Sequence, residues 1–229
     1  MLLQTTGKEK SVKIARVLVI TFKLKMSELK EILCKYLPET SVEPIEKMIL
    51  ANNVQVNITR ARRTKLGDFR PPQNGVSYHR ISINHNLNKY DFLITLLHEF
   101  AHLYIWNLYK NKVEPHGKEW SQKYLDLLKQ FSTPQNFPDE IRALFVQLEK
   151  HPQLGKTELS RALRKYDENQ DYLLIEEIPF KANFNTFDGR SFQKIEKLKK
   201  RFKCICLNDK RNYLFHPLTR VVYSEHHSI

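Results

Sequence analysis

His98, Glu99 and His102 sit together in LITLLHEFAHLYIW, residues 93–106, a stretch that is otherwise oily. The order His-Glu-x-x-His has a direct chemical reading. Residues four apart share one face of an α-helix, about 6 Å along its axis, so both imidazoles can converge on one ion. Zinc takes nitrogen ligands at about 2.0–2.1 Å and about four ligands in all, and a catalytic site leaves one position to water. Glu99, next to the first ligand, is placed to take a proton from that water. The competing reading is a helix whose histidines face solvent or satisfy each other. An apolar helix argues against it, because burying an unpaired polar trio is costly.

A third ligand is available in EPHGKEW, at His116. By Lys110 a helix has carried the chain about 12 Å from His102. The stretch Lys110–Pro115 spans about 20 Å when extended, enough to turn back. Gly117 then permits a close approach, and Gly-Lys-Glu-Trp opens the next helix. Glu114 and Glu119 are the alternative third ligands. A metzincin arrangement needs glycine and histidine further along the same helix, where this chain has Ile105 and Leu108. His79, His85, His151, His216, His226 and His227 show no ligand spacing to one another or to the motif.

These residues need elements to hold them. Leu29, Ile32, Leu33, Tyr36 and Leu37 form one helical stripe, with Ser27 as its cap and Cys34 assigned to core packing. Val42, Ile45, Met48 and Ile49 form a second stripe after Pro38. VQVNI at 54–58 and VSYHRISIN at 76–84 alternate and read as partner strands, separated by the basic stretch TRARRTKLGDFRPP. Asn88 or Asp91 caps the helix that carries the motif to about Tyr109, and Tyr104 and Trp106 belong to its core. Helical spacing returns at 117–131, 138–149 and, after an HPQLGK loop, 157–166. Beyond about Asp171, YLLIEEI, RFKCICL, YLFH and RVVY are short β-type runs between the turn-formers NFNTFDG, NDKRN and HPLT. The expected organisation is an N-terminal extension over 1–25, outside the fold, a helix-rich domain over 26–170 and a basic β-rich module over 171–229.

Four segments resemble one family, the SprT-like (Spartan-type) zinc metalloproteases. They are RTKLGDFRPP at 63–72, ISINHNL at 81–87, TLLHEFAHLYIW at 95–106 and HGKEW at 116–120, in the family's order. LSRALRKYD and NYLFHP are similar, more loosely, to bacterial members. The resemblance implies an α+β fold of zincin-like helices packed on a small antiparallel sheet, here followed by the small β-rich C-terminal module. It implies one catalytic Zn2+ held by His98, His102 and His116, with Glu99 as the catalytic base. It also implies a protein or peptide substrate and DNA as a partner, since family members cleave proteins bound or crosslinked to DNA. The chain departs from the family at its end. Many members carry a zinc ribbon with two CxxC pairs, whereas this chain has only Cys204-Ile205-Cys206, whose residues alternate on a strand.

Charge and cysteine content narrow the setting. Lys and Arg number 38 against 25 Asp and Glu, a net charge of +13, which favours polyanionic partners. The segment 181–229 holds 11 Lys plus Arg and 4 Asp plus Glu. Lys197, Lys199, Lys200, Arg201 and Lys203 there, and Arg62 and Arg63 before the motif, are the candidate phosphate contacts. Phe192, Phe202, Tyr213 and Phe215 are either base-stacking platforms or the core of the β module. Three cysteines are no disulfide framework and suit a reducing compartment. The run VLVITF is too short to span a bilayer, so the expected location is the cytoplasm, with no membrane partner. The reading is a zinc-dependent endopeptidase, with Tyr78 and Tyr109 as candidate oxyanion stabilisers. Its rivals are a nucleic-acid-binding adaptor with a structural metal and a zinc hydrolase of small amides.

Overall fold

The computed structural model describes residues 26–62, 65–150, 152–167 and 172–223. The expected extension over 1–25, Arg63, His151, the junction at 168–171 and the terminal His226 and His227 lie outside the described residues. The two N-terminal stripes become α1 (Met26–Tyr36) and α2 (Glu39–Ala51), parted at Pro38. Leu33, Leu37, Val42, Ile45 and Ile49 are buried as the periodicity demands. Cys34 is not: it follows Leu33 by one residue, which turns it about 100° off the buried stripe, and it is exposed.

The strands that follow are β1 (Val54–Thr59), β2 (Gly67–Arg70) and β3 (His79–Asn84), in the order β1-β3-β2. β1 and β3 are partners as expected, with Val56 opposite Ile81, but they run parallel, and only β2 pairs antiparallel with β3. The sheet is therefore mixed. The connection over 60–78 is long enough to bring the chain back in its original direction, which a parallel pair requires. Within that connection the Gly-Asp-Phe-Arg stretch is a strand. Gly and Asp are poor strand formers, so pairing to β3 and contact with the helix behind it decide the outcome.

That helix is α3 (Lys89–Tyr109), capped by Asn88, whose side chain accepts from the amides of Tyr90 at 3.1 Å and Asp91 at 2.9 Å. Leu93, Leu96, Leu97, Phe100 and Ala101 have no exposed surface, so α3 is the centre of the larger core and rests on β2 and β3. α4 (Lys118–Phe131), α5 (Asp139–Lys150) and α6 (Pro152–Arg164) complete this part. α6 starts earlier than its hydrophobic spacing suggests, because Pro152 occupies the first helical position, where its missing N–H costs nothing.

A second, smaller core forms around Ile175, Ile178, Phe184, Phe192, Phe202, Cys204, Cys206 and Val221. It lies beneath β5 (Asn183–Asn185), β6 (Ser191–Lys197), β7 (Phe202–Cys206) and β8 (Asn212–Phe215), an antiparallel meander. β4 (Leu173–Leu174) and β9 (Arg220–Val221) pair beside it. The chain is thus α+β with a β-rich C-terminal region. Phe192 and Phe202 are buried here, with Tyr213 and Phe215 packed against them; their rings serve the core. Asn-Phe-Asn and the Lys-rich run before Phe202, which sequence reading makes turn and surface, supply β5 and β6. Lys194, in that run, is buried and donates to the carbonyls of Ile175 at 2.7 Å and Ile178 at 2.6 Å. A polar seam joins the two parts: Arg161 makes two 2.7 Å bonds to Glu176, and Arg164 pairs with Glu177. Among the described residues no helix is long and apolar enough to cross a membrane.

Candidate metal centre

The apolar face of α3 is committed to the core, and His98 and His102 lie on the strip that remains, both half-buried. The chain leaves α3 at Lys110, with a φ of 54°. It returns through a turn in which Gly117 N–H donates to the Glu114 carbonyl at 3.0 Å. A Cβ on Gly117 would stand 2.9 Å from that oxygen, so this turn closes only on glycine. His116 itself is left-handed, with a φ of 61°, an uncommon conformation for a residue with a side chain. It brings its ring to the other two.

The three Nε2 atoms form a triangle: His98 to His102 3.3 Å, His102 to His116 3.0 Å, His98 to His116 3.2 Å. Hydrogen bonding among themselves cannot account for it. Each Nε2 offers one in-plane position, either a proton or a lone pair, so three mutually adjacent nitrogens cannot all pair. A cation accepting three lone pairs removes the conflict. Tetrahedral coordination at about 2.0–2.1 Å sets nitrogens about 3.3–3.4 Å apart, within a few tenths of an ångström of this triangle. The donor set fits a metal ion of the zinc kind. Burial, followed by the charge of His116, pushes the His102 pKa down to about 4, which keeps its lone pair available at neutral pH. Of the alternatives for the third position, His116 is the residue brought to the pair.

α4 contributes a wall. The Trp120 ring lies 4.6 Å from His98, 5.1 Å from His102 and 4.6 Å from His116, centroid to centroid. Tyr124, one turn on, stacks against Trp120 at 5.0 Å and meets His98 at 5.4 Å. Tyr124 is therefore the tyrosine beside the imidazoles. Tyr109 is seven residues past His102, about 10 Å along the helix. Sequence reading identified neither Trp120 nor Tyr124 as part of the site; their helical spacing signalled only core.

Glu99, next in sequence to His98, is turned about 100° from it and is 5% exposed, against β2. Burial raises the Glu99 pKa to about 8, with Asp68 adding to the rise and Arg62, Lys65 and the Phe69 amide opposing it. Buried acids of this kind gather at sites of proton transfer.

Residues 42–142 match the model of the SprT-like family. That stretch of the chain is similar to the SprT-like family. It contains the three-stranded sheet, α3, the turn to His116 and α4, and the family is in general one of zinc metallopeptidases. Neither the curated proteins nor the solved structures give a match to the chain.

The basic residues divide. In the SprT-like part, Arg62 is occupied within the fold: it donates to Asn84 at 2.8 Å, to the Ser82 hydroxyl at 3.0 Å and to the carbonyls of Ser82 and Leu66. It pins the 60–66 loop to β3 through an amide and carbonyls rather than through carboxylates. Lys197, Lys199, Lys200 and Arg201 are exposed at the β6–β7 hairpin, remote in sequence from the imidazoles. Lys203 pairs with Glu196 at 3.0 Å.

Proposed function

We propose that the protein is a zinc-dependent endopeptidase acting on proteins associated with or crosslinked to DNA. The observation that supports this most is the triangle of three Nε2 atoms, 3.0–3.3 Å on a side, on the same helix turn as a buried carboxylate. His98, His102 and His116 would hold the ion. A zinc ion there would lower the pKa of water and polarise the scissile carbonyl. Glu99 takes the proton of the attacking water on its carboxylate and returns it to the departing amine. The Trp120 and Tyr124 rings shield one side of the imidazoles from water.

DNA enters through the exposed basic hairpin of Lys197, Lys199, Lys200 and Arg201. Contacts of this kind engage the phosphate backbone without reading sequence. The test is Glu99→Gln, which preserves size and hydrogen bonding while removing the base. The expected result is loss of cleavage of DNA-bound test proteins by about 100-fold or more, with zinc content and thermal stability retained. Undiminished cleavage would refute the mechanism. A wild-type protein that binds DNA and zinc but cleaves nothing would instead favour an adaptor, and turnover of small amides alone a different hydrolase.

A further inference from the structure

β2 is an edge strand of its sheet and meets α3 at Glu99. Its first residue is Gly67. A Cβ placed there would lie 2.4 Å from Oε1 of Glu99 and 2.9 Å from both Cγ and Cδ. These are distances that non-bonded carbon and oxygen do not reach, so with a methyl group at 67 the end of the Glu99 side chain has to move. Gly67 has no left-handed backbone that would call for glycine on its own account: among the described glycines only Gly75 and Gly189 have positive φ. What position 67 supplies is empty space, and the space is filled by Glu99.

We infer that Gly67 is a positioning residue, and that β2 is a seat for the Glu99 carboxylate, which the absence of a side chain at 67 admits against the strand. The inference rests on the reading of Glu99 as the base, and its geometric part can be tested without catalysis. A methyl group at 67 must push the carboxylate off the strand. Nothing in the imidazole triangle need move, since His98 and His102 point from a different side of α3.

The experiment is a double-mutant cycle on metal-free protein, unfolded in urea with a chelator present. Gly67→Ala is expected to reduce the folding equilibrium constant by at least about tenfold when Glu99 is present, as crowding of a packed site does. In a Glu99→Ala background, where the clashing atoms are gone, the same change should matter less than about twofold. An equal loss in both backgrounds would overturn the inference, because a glycine needed only for the backbone is indifferent to residue 99. If Gly67→Ala alone does not fold, the pair Gly67→Ala with Glu99→Asp decides: the shorter carboxylate withdraws from the strand, so the pair should match Glu99→Asp alone in stability, and failure to fold would refute the seat.

With zinc restored, Gly67→Ala is expected to lower kcat by at least about tenfold with KM and zinc affinity within twofold of wild type. A change in zinc affinity of the same size as that in kcat would also refute a role confined to Glu99. The failures are separable. Cleavage surviving in Glu99→Gln removes the base assignment and leaves the stability cycle standing. An additive cycle beside an inactive Glu99→Gln removes only the seat.

Discussion

At the level of single residues the centre is built against local preference. His116 adopts a φ of 61°, where a side chain costs on the order of 1 kcal/mol relative to glycine. The return is a ring placed 3.0 Å from His102. His116→Gly should therefore separate the two effects. In chelator, the variant is expected to be more stable to urea by up to about 1 kcal/mol. Its zinc affinity, measured by competition with a chromophoric chelator, should fall by more than the roughly 10–100-fold typical of removing a residue that only supports a ligand. Unchanged zinc affinity would exclude His116 as a ligand. The approach of His116 to the other two histidines was legible in the sequence, because Gly117 and the reach of 110–115 left a histidine able to return to them. The strain was not, since φ depends on how the turn closes on Glu114. Trp120 and Gly67 were illegible for a related reason: their roles depend on which atoms α4 and β2 bring against α3, and periodicity reports burial without naming the neighbour.

At the level of elements, α3 illustrates what pattern reading can and cannot deliver. Its apolar run fixed its place in the core, and Asn88 at its start was a recognisable cap. Asn88 also donates to the Leu163 carbonyl at 3.0 Å and to Asp167 at 2.8 Å, which ties the helix start to the end of α6. This proximity places Asp91, the other candidate cap, near Asp167. Burial first, then the charge of Asp167, raise the Asp91 pKa to about 6, with Arg220 and a bond to Thr95 opposing the rise. A carboxyl that holds its proton more tightly folded than unfolded stabilises the fold fully below its unfolded pKa of about 3.9 and loses that contribution as pH rises to about 6. Asp91→Asn is accordingly expected to match wild type near pH 4 and to exceed it by about 2 kcal/mol at pH 8, read from urea midpoints. A pH-independent difference would mean that Asp91 does not titrate anomalously. β2, β5 and β6 were hidden from the sequence because each is a strand by virtue of its partners: Gly67 and Asp68 pair with β3, and in β6 Lys194 shares the buried face with Phe192 over the second core.

On the scale of the molecule, two cores meet across the polar seam of Arg161, Arg164, Glu176 and Glu177, and the excess of positive charge is unevenly spent. Arg62 is consumed in holding a loop, and Lys194 is buried against two carbonyls, so formal charge overstates what a polyanion can touch. Lys199, Lys200 and Arg201 remain exposed on one hairpin, and a phosphate backbone is the partner whose binding they would govern. Every phosphate that a cation no longer neutralises lowers the slope of log affinity against log salt, by about 0.9 on a duplex and about 0.7 on a single strand. Reversing all three residues to glutamate should then reduce the slope by at least about 2.7 on duplex DNA or about 2.1 on single strands, in anisotropy titrations across salt concentrations. Cleavage of an unfolded protein without DNA should stay at the wild-type rate, because the hairpin belongs to the second core and the imidazoles to the first. A weakened affinity with an unchanged slope would place the phosphate-binding surface elsewhere on the molecule, and loss of DNA-free cleavage would mean that the hairpin serves the peptidase directly.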